Sequence, residues 1–343
     1  MSSNDSRMQT AIAEQIHTVL AAYESERNKD GVRVLILIDP SLRNATADPE
    51  FDQDLKAVHK QDGVDGNEFS SCPPIRWQHT NLRPTHRPYL IPLELHRCVD
   101  AQLLQTSIRL ALEDQDVTAR QHKLGQRICS WLITTQPVQT LAEHLGRMSV
   151  QHLPTEYPMV GGKRTLLRYF DPNVLPALWE ISDPAQRVRL FGPIEQWGVL
   201  DQQGELNFYS PDRDAAALAV PLSTSVHDIG YSTTQWMAIH DIGTLNEVAT
   251  QWQLQNVSGL LPTVSQRDIA RQALARSRVL GIEDEADRVA FAMHALTVHA
   301  RFDSHPQVRE ALRTLQHNVY YTAAISSLTD DDWVTIRHDM NVQ

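Results

Sequence analysis

Arg168 and Asp171 stand three residues apart in the segment LLRYFDPNVLPALWEI, residues 166–181. A guanidinium this close to a carboxylate can hold it ionised. A carboxylate beside a histidine can work as a general acid–base pair. The nearest histidines upstream are His144 and His152. One reading is therefore a hydrolase that uses Asp171 with a histidine brought close by folding. The other is structural: Arg168 ends a strand, Asp171 pairs with it and caps the helix NVLPALWEI, and Pro172 sits in that helix's first turn. The structural reading is favoured, because a general acid–base pair needs a second titratable partner and a pocket, and the spacing suggests neither.

Other catalytic patterns fall short. The run GGKR at 161–164 lacks the upstream glycine and the downstream hydroxyl of a phosphate loop, so it reads as a hairpin turn. There are 15 histidines, but none in HExxH and none paired at i, i+4 beside a carboxylate. His294 and His299 fall on different sides of a helix. No GxSxG elbow is present. Cys72, Cys98 and Cys129 lie in SSCPP, HRCVD and RICSW, without CxxC spacing. They read as reduced thiols, Cys129 as small core filler. No catalytic residue, cofactor, metal or small-molecule substrate is expected.

The elements that must hold these residues follow from hydropathy pattern and turn chemistry. An amphipathic helix covers 8–27, and RVLILI ending at Asp39-Pro40 is a buried strand. Residues 41–70 read as a polar loop or poorly ordered insertion. Strands follow at 89–93 and 128–135, with a helix over 97–113 between them. Thr135 or Thr140 opens a helix carrying Leu141 and Leu145. Segments 148–154 and 164–170 form a hairpin around Gly161 and Gly162. VRLFGPIEQWGVLDQQGELNFY, starting at Val188, reads as two strands around a turn at 202–204.

Beyond a crossover at 210–225 the texture becomes helical. Ser232 with Gln235 forms a capping box, Ser265 with Asp268 opens a second helix, and Gly281 ends it. Three more helices follow from 283, 304 and 329. The expectation is a mixed α/β (α+β) lobe over 1–215, with a central sheet flanked by helices, and an all-α lobe over 216–343.

At 343 residues and 41 % hydrophobic, the chain is large enough for two cores without disulfides. A net charge of −11 argues against nucleic acid. No apolar run reaches membrane length, and the N-terminus has no signal-peptide pattern, so a cytoplasmic protein without membrane insertion is expected. The tryptophans read as core or lobe interface. Trp236, Trp252 and Trp333 are the candidates for contact with a partner.

The order of segments VLILIDPSL, RPYLIPL, WLITTQPVQTLAEHLGRMSV, TLLRYFDPNVLPALWEI and VRLFGPIEQW resembles the effector adaptors of bacterial type VI secretion, the Tap/Tec kind. The resemblance covers about residues 30–200 and is most specific at RYFDP and FGPIxxW, that is Arg168, Asp171, Pro172, Phe191, Gly192, Pro193 and Trp197. Departures are Asn173 where the family has arginine, and Gly146-Arg147 where an arginine follows His-Leu directly. The resemblance implies a non-enzymatic cytoplasmic chaperone that binds one cognate effector and helps load it onto a spike protein of the VgrG type. It also implies that the seven motif residues are architectural and that the helical lobe sets client specificity.

Overall fold

The computed structural model describes residues 3–27, 32–41, 43–61, 74–75, 87–122, 124–157, 162–202, 204–213, 228–255, 260–317 and 319–342. Two compact units make it up, Met1–Trp236 and Met237–Gln343. The first is mixed and the second is helical. Residues 228–236 pack with the first unit: Ile229 N donates to Gln151 Oε1 (2.9 Å), and Tyr231 Oη shares a hydrogen bond with Ser182 Oγ (2.8 Å).

The first unit centres on a five-stranded sheet of order β2-β1-β3-β6-β7. The strands are β1 (Arg33–Ile38), β2 (Tyr89–Leu93), β3 (Ile128–Thr134), β6 (Gln196–Leu200) and β7 (Leu206–Tyr209), and every pairing is antiparallel. A second, two-stranded sheet pairs β4 (Val150–His152) with β5 (Arg164–Leu166). Aliphatic runs serve β1 and β3 because both of their faces are covered; alternation alone would leave one face wet. Val34, Ile36 and Ile38 join one core with Ile12, Ile16, Phe51, Leu55, Leu103, Leu104 and Ile108. The helical side chains of that core come from α1 (Ser3–Arg27), α2 (Pro49–Gln61) and α3 (Cys98–Asp114). Leu35 and its cross-strand neighbours Leu132 and Trp197 form a row on the opposite face, continued by Tyr209.

Four sequence expectations are corrected here. Residues 49–61 are helix, not loop: Asp48 Oδ1 accepts from Phe51 N (3.0 Å), Pro49 opens the helix, and Phe51, Leu55 and Val58 make its buried stripe. After α4 (Val117–Gln121), α5 (Val138–Met148) begins after Pro137 and has no threonine side-chain cap. Asp171 is not the cap of the next helix, since α6 (Leu175–Ile181) has Val174 at that position. Asp171 instead stabilises the turn before it, accepting from Asn173 N (2.9 Å). Finally, VRLF is the end of α7 (Pro184–Phe191), which Asp183 and Gln186 open with a reciprocal capping box. The expected turn glycine Gly161, and the bulk of the expected crossover at 210–225, lie outside the described residues.

The second unit carries α8 (Thr233–Gln255, begun in the first unit), α9 (Val264–Val279), α10 (Glu285–Thr297), α11 (Pro306–Leu312), α12 (Tyr321–Ile325) and α13 (Asp330–Val342). Its described residues contain no strand. The opening of α9 belongs to Thr263 with Gln266, a capping box that starts two residues before the expected Ser265 and Asp268. Gly281, at φ 76°, ends it as expected. Ala273, Leu274, Val289, Phe291, Phe302, Val308 and Ile336 fill this unit's core. Buried Asp241 receives Arg278 Nη2 (2.7 Å) and Arg288 Nη2. Buried Asp287 caps α12 from another helix, accepting from Tyr321 N (2.6 Å) and Thr322 N (3.1 Å).

Candidate functional site

Arg168 follows β5 and reaches across to the end of β1. Its Nη2 donates to Asp39 Oδ2 at 2.6 Å, and Asp39 is fully buried. The partner of Arg168 is therefore Asp39, 129 residues away, and not the nearby Asp171. The other Asp39 oxygen accepts from Ser41 N (2.9 Å), which fixes the turn after β1. A buried carboxylate held by a guanidinium and a backbone amide is a clamp between two sheets. Asp171 is close enough to be felt. Burial raises its pKa, Arg168 lowers it in part, and Asp39 adds repulsion. Cys129 lies buried near the same carboxylates, and burial pushes its thiol well above the ordinary value. Such a thiol is protonated and inert, in keeping with core filler. Cys98 is exposed and unbonded, and Cys72 lies outside the described residues.

The Phe191-Gly192-Pro193 segment has a different task. Gly192 ends α7 at φ 53°, ψ −115°, a conformation glycine adopts readily. A Cβ there would overlap the His144 ring. That ring thus lies directly against the glycine, with its Nε2 hydrogen-bonded to Leu190 O (3.0 Å). Burial lowers the His144 pKa from 6.5 to about 4, so the ring is neutral and Nε2 donates. Pro193 O accepts from Thr134 Oγ1 (2.9 Å), tying the segment to the end of β3.

An aromatic group covers this face of the sheet. Tyr169 and Phe191 each meet the Trp197 ring edge-on, at centroid distances of 5.6 and 5.3 Å. Trp179 continues it to Phe191 (5.2 Å) and Tyr209 (5.3 Å), under the Arg187 guanidinium at 4.5 Å. Pairs of this geometry contribute about 0.5–1.5 kcal/mol beyond the area they bury. Tyr169 Oη and Trp197 Nε1 are buried without a hydrogen-bond partner among the described residues, and nothing in the structure explains it.

Of the motif residues, Phe191 and Trp197 meet in one aromatic layer, which Tyr169, next to Arg168 in the chain, joins. Pro172 is buried, and Asp171, Gly192 and Pro193 are half-buried. The histidines of the hydrolase reading are placed otherwise: His144 is engaged with Leu190 O, and His152 lies exposed on β4, paired with Arg164. Among the described residues no three His, Cys, Asp or Glu side chains could hold a metal ion together. No described helix is long and apolar enough to cross a membrane.

The partner-contact candidates fare unequally. Trp236 is 2 % exposed and packs edge-on against Tyr231 (5.7 Å), so it offers no face to a partner. Trp252 and Trp333 are half-buried against the second unit's core. Trp333 stacks flat on His294, with centroids 4.7 Å apart. What sequence reasoning missed is a set of exposed aliphatics. Nine of the eleven large hydrophobic side chains exposed among the described residues belong to the helical unit, Val279 (88 %), Val264 (78 %) and Val342 (74 %) foremost. A valine at helical spacing reads as core, so only the fold could reveal them.

Residues 84–189 match a family described as "Domain of unknown function (DUF4123)". That domain is known in type VI secretion adaptor proteins. The matched stretch runs from just before β2 to the last turn of α7, under a third of the chain, and includes Arg168, Asp171, Pro172 and His144. No curated protein and no solved structure matches the chain.

Proposed function

We propose that the chain is a non-enzymatic, cytoplasmic adaptor that binds a cognate type VI secretion effector and helps load it onto a spike protein of the VgrG type. The observation that carries this reading is the match of residues 84–189 to a domain known in such adaptors. Two features of the molecule support it. The motif residues are committed to packing and to a sheet-to-sheet clamp, where they serve architecture. The exposed aliphatics sit in the helical unit, where a client's apolar segments would find surface to cover. In this reading the mixed unit is the rigid body and the helical unit carries specificity.

The experiment is co-expression with the effector encoded beside the chain's own gene. The expected result is an effector that is soluble in complex with the chain and that reaches the spike only when the chain is present. An effector equally soluble and equally loaded without it would overturn the reading.

A further inference from the structure

The helix α13 is held more lightly than its neighbours. Of its 13 residues only Ile336 and Met340 are buried, and Trp333 is half-buried. Spaced i, i+3 and i+7, these three fall on one face. Asp331, Val334, Thr335, Arg337 and His338 stand in solvent. The helix also caps its own start: Thr329 N donates to Asp332 Oδ2 (2.8 Å) and Asp332 N to Thr329 Oγ1 (3.3 Å). By contrast, the first amides of α12 are bound by buried Asp287 on α10. Among the described residues, the side-chain links of α13 to the rest of the unit use carboxylates in contact with water. Gln307 Nε2 donates to Asp332 Oδ1 (3.3 Å), and His305 Nε2 is 3.5 Å from Asp339 Oδ2, on a side chain 47 % exposed. Such links contribute little, so three apolar side chains hold the helix against the entropy of its backbone.

The seat beneath α13 is built by other elements. Trp333 stacks on His294 and lies 6.2 Å from Phe302, centroid to centroid. Both of those rings are held from behind. His294 Nδ1 shares a hydrogen bond with Tyr321 Oη (2.8 Å), and Phe302 packs on Phe291 (4.9 Å), which meets Tyr321 (5.3 Å). None of these contacts involves α13, so the floor keeps its shape without it. An apolar floor moulded to residues i, i+3 and i+7 is the complement of an amphipathic helix.

We propose that α13 is a strap that opens while the rest of the second unit stays folded, and that its seat then takes an amphipathic helix of a protein partner. The partner's helix carries bulky apolar residues at the spacing of Trp333, Ile336 and Met340. This deepens the adaptor reading and rests on it for the identity of that partner as the effector. The present occupant selects the class of the next one. A strand alternates its side chains between two faces and cannot place three apolar groups at this spacing. The α13 of a second copy would make only the contacts that the chain's own helix already makes, so nothing offsets the freedom lost on pairing two chains. A partner's helix with larger apolar side chains gains contacts that α13, with Trp333 half-buried, leaves unmade.

The test uses the full chain and two readouts. In native-state hydrogen exchange, the amides of residues 334–340 are expected to exchange about tenfold or more faster than those of α10, through an opening that leaves α10 protected. In the second, the probe is a fluorescein-labelled synthetic peptide of residues 328–343, followed by anisotropy. The Trp333→Ala chain is expected to capture it about tenfold more tightly than wild type, because a weaker strap leaves the seat open more of the time. The same peptide carrying Ile336→Asp should not bind. Equal protection of α13 and α10, loss of α10 protection in the Trp333→Ala chain, no capture of the peptide, equal capture by both chains, capture of the Ile336→Asp peptide, or a dimer formed by exchange of α13 would each overturn the proposal. The adaptor reading fails separately: an effector independent of the chain sinks it while the exchange pattern and peptide capture persist.

Discussion

The two units put their apolar and charged residues to opposite uses. In the first, the most recognisable residues are hidden: Phe191 and Trp197 are fully buried, and Arg168 spends its charge on a buried carboxylate. In the second, aliphatic side chains and arginines stand in solvent along α9. The contrast teaches where recognisable sequence and where binding should be sought. A motif such as RYFDP or FGPIxxW is distinctive because several constraints of packing meet there, and those same constraints remove it from the surface. A contact surface need only be exposed and complementary, so many sequences would serve.

The comparison predicts unequal costs. Gly192→Ala should cost the most stability, about 3–4 kcal/mol, because it forces a strained φ and drives a methyl into the His144 ring. Urea unfolding measures it, and a loss under about 1 kcal/mol would show that the ring moves aside. Arg168→Ala follows at about 3 kcal/mol, since it leaves Asp39 buried and unpaired. Asp171→Ala should cost less, about 1 kcal/mol, as it removes a turn hydrogen bond while the lost attraction to Arg168 is offset by relief of burial and of repulsion from Asp39. If Asp171→Ala proved the more damaging of the two, the clamp would have been assigned to the wrong carboxylate.

A pH dependence accompanies these losses. His144 titrates at about 4 when folded, against 6.5 for the free group. Its contribution to stability is therefore complete above pH 6.5 and declines as the pH falls from there toward 4, because the unfolded chain takes up the proton first. Between about pH 7.5 and about pH 5 the loss is about 2 kcal/mol. Comparing wild type with His144→Gln isolates this slope from those of the carboxylates; parallel curves would mean that the ring is not held neutral. The smallest effect is at the surface. Val264→Asp with Val279→Asp should change stability by no more than about 0.5 kcal/mol, read as an unchanged melting temperature.

Much of the fold was legible. The aliphatic runs at 33–38, 89–93 and 128–134 are strands, and Ser232 with Gln235 opens a long helix. The helix at 49–61 was also within reach, since Asp48-Pro49 followed by Phe51, Leu55 and Val58 is a start signal with a buried stripe; its many polar residues hid it. The same holds for α7, whose Asp183-Pro184 and Gln186 announce a helix where VRLF alone suggests a strand. The site was less legible for a physical reason. Arg168 and Asp39 are 129 residues apart, and the reach of one to the other exists only once β1 and β5 are placed. Proximity along the chain favoured Asp171 instead. The contact of His144 with Gly192 is equally a product of folding.

The most direct test of this division of labour is one paired measurement: the amount of effector that co-purifies with the full chain, together with the melting temperature, for Arg168→Ala and for Val264→Asp/Val279→Asp. The account predicts that Arg168→Ala melts earlier yet holds the effector below its melting point, whereas the α9 variant melts like wild type and releases it. Effector release by a folded Arg168→Ala chain, with capture intact in the α9 variant, would contradict it.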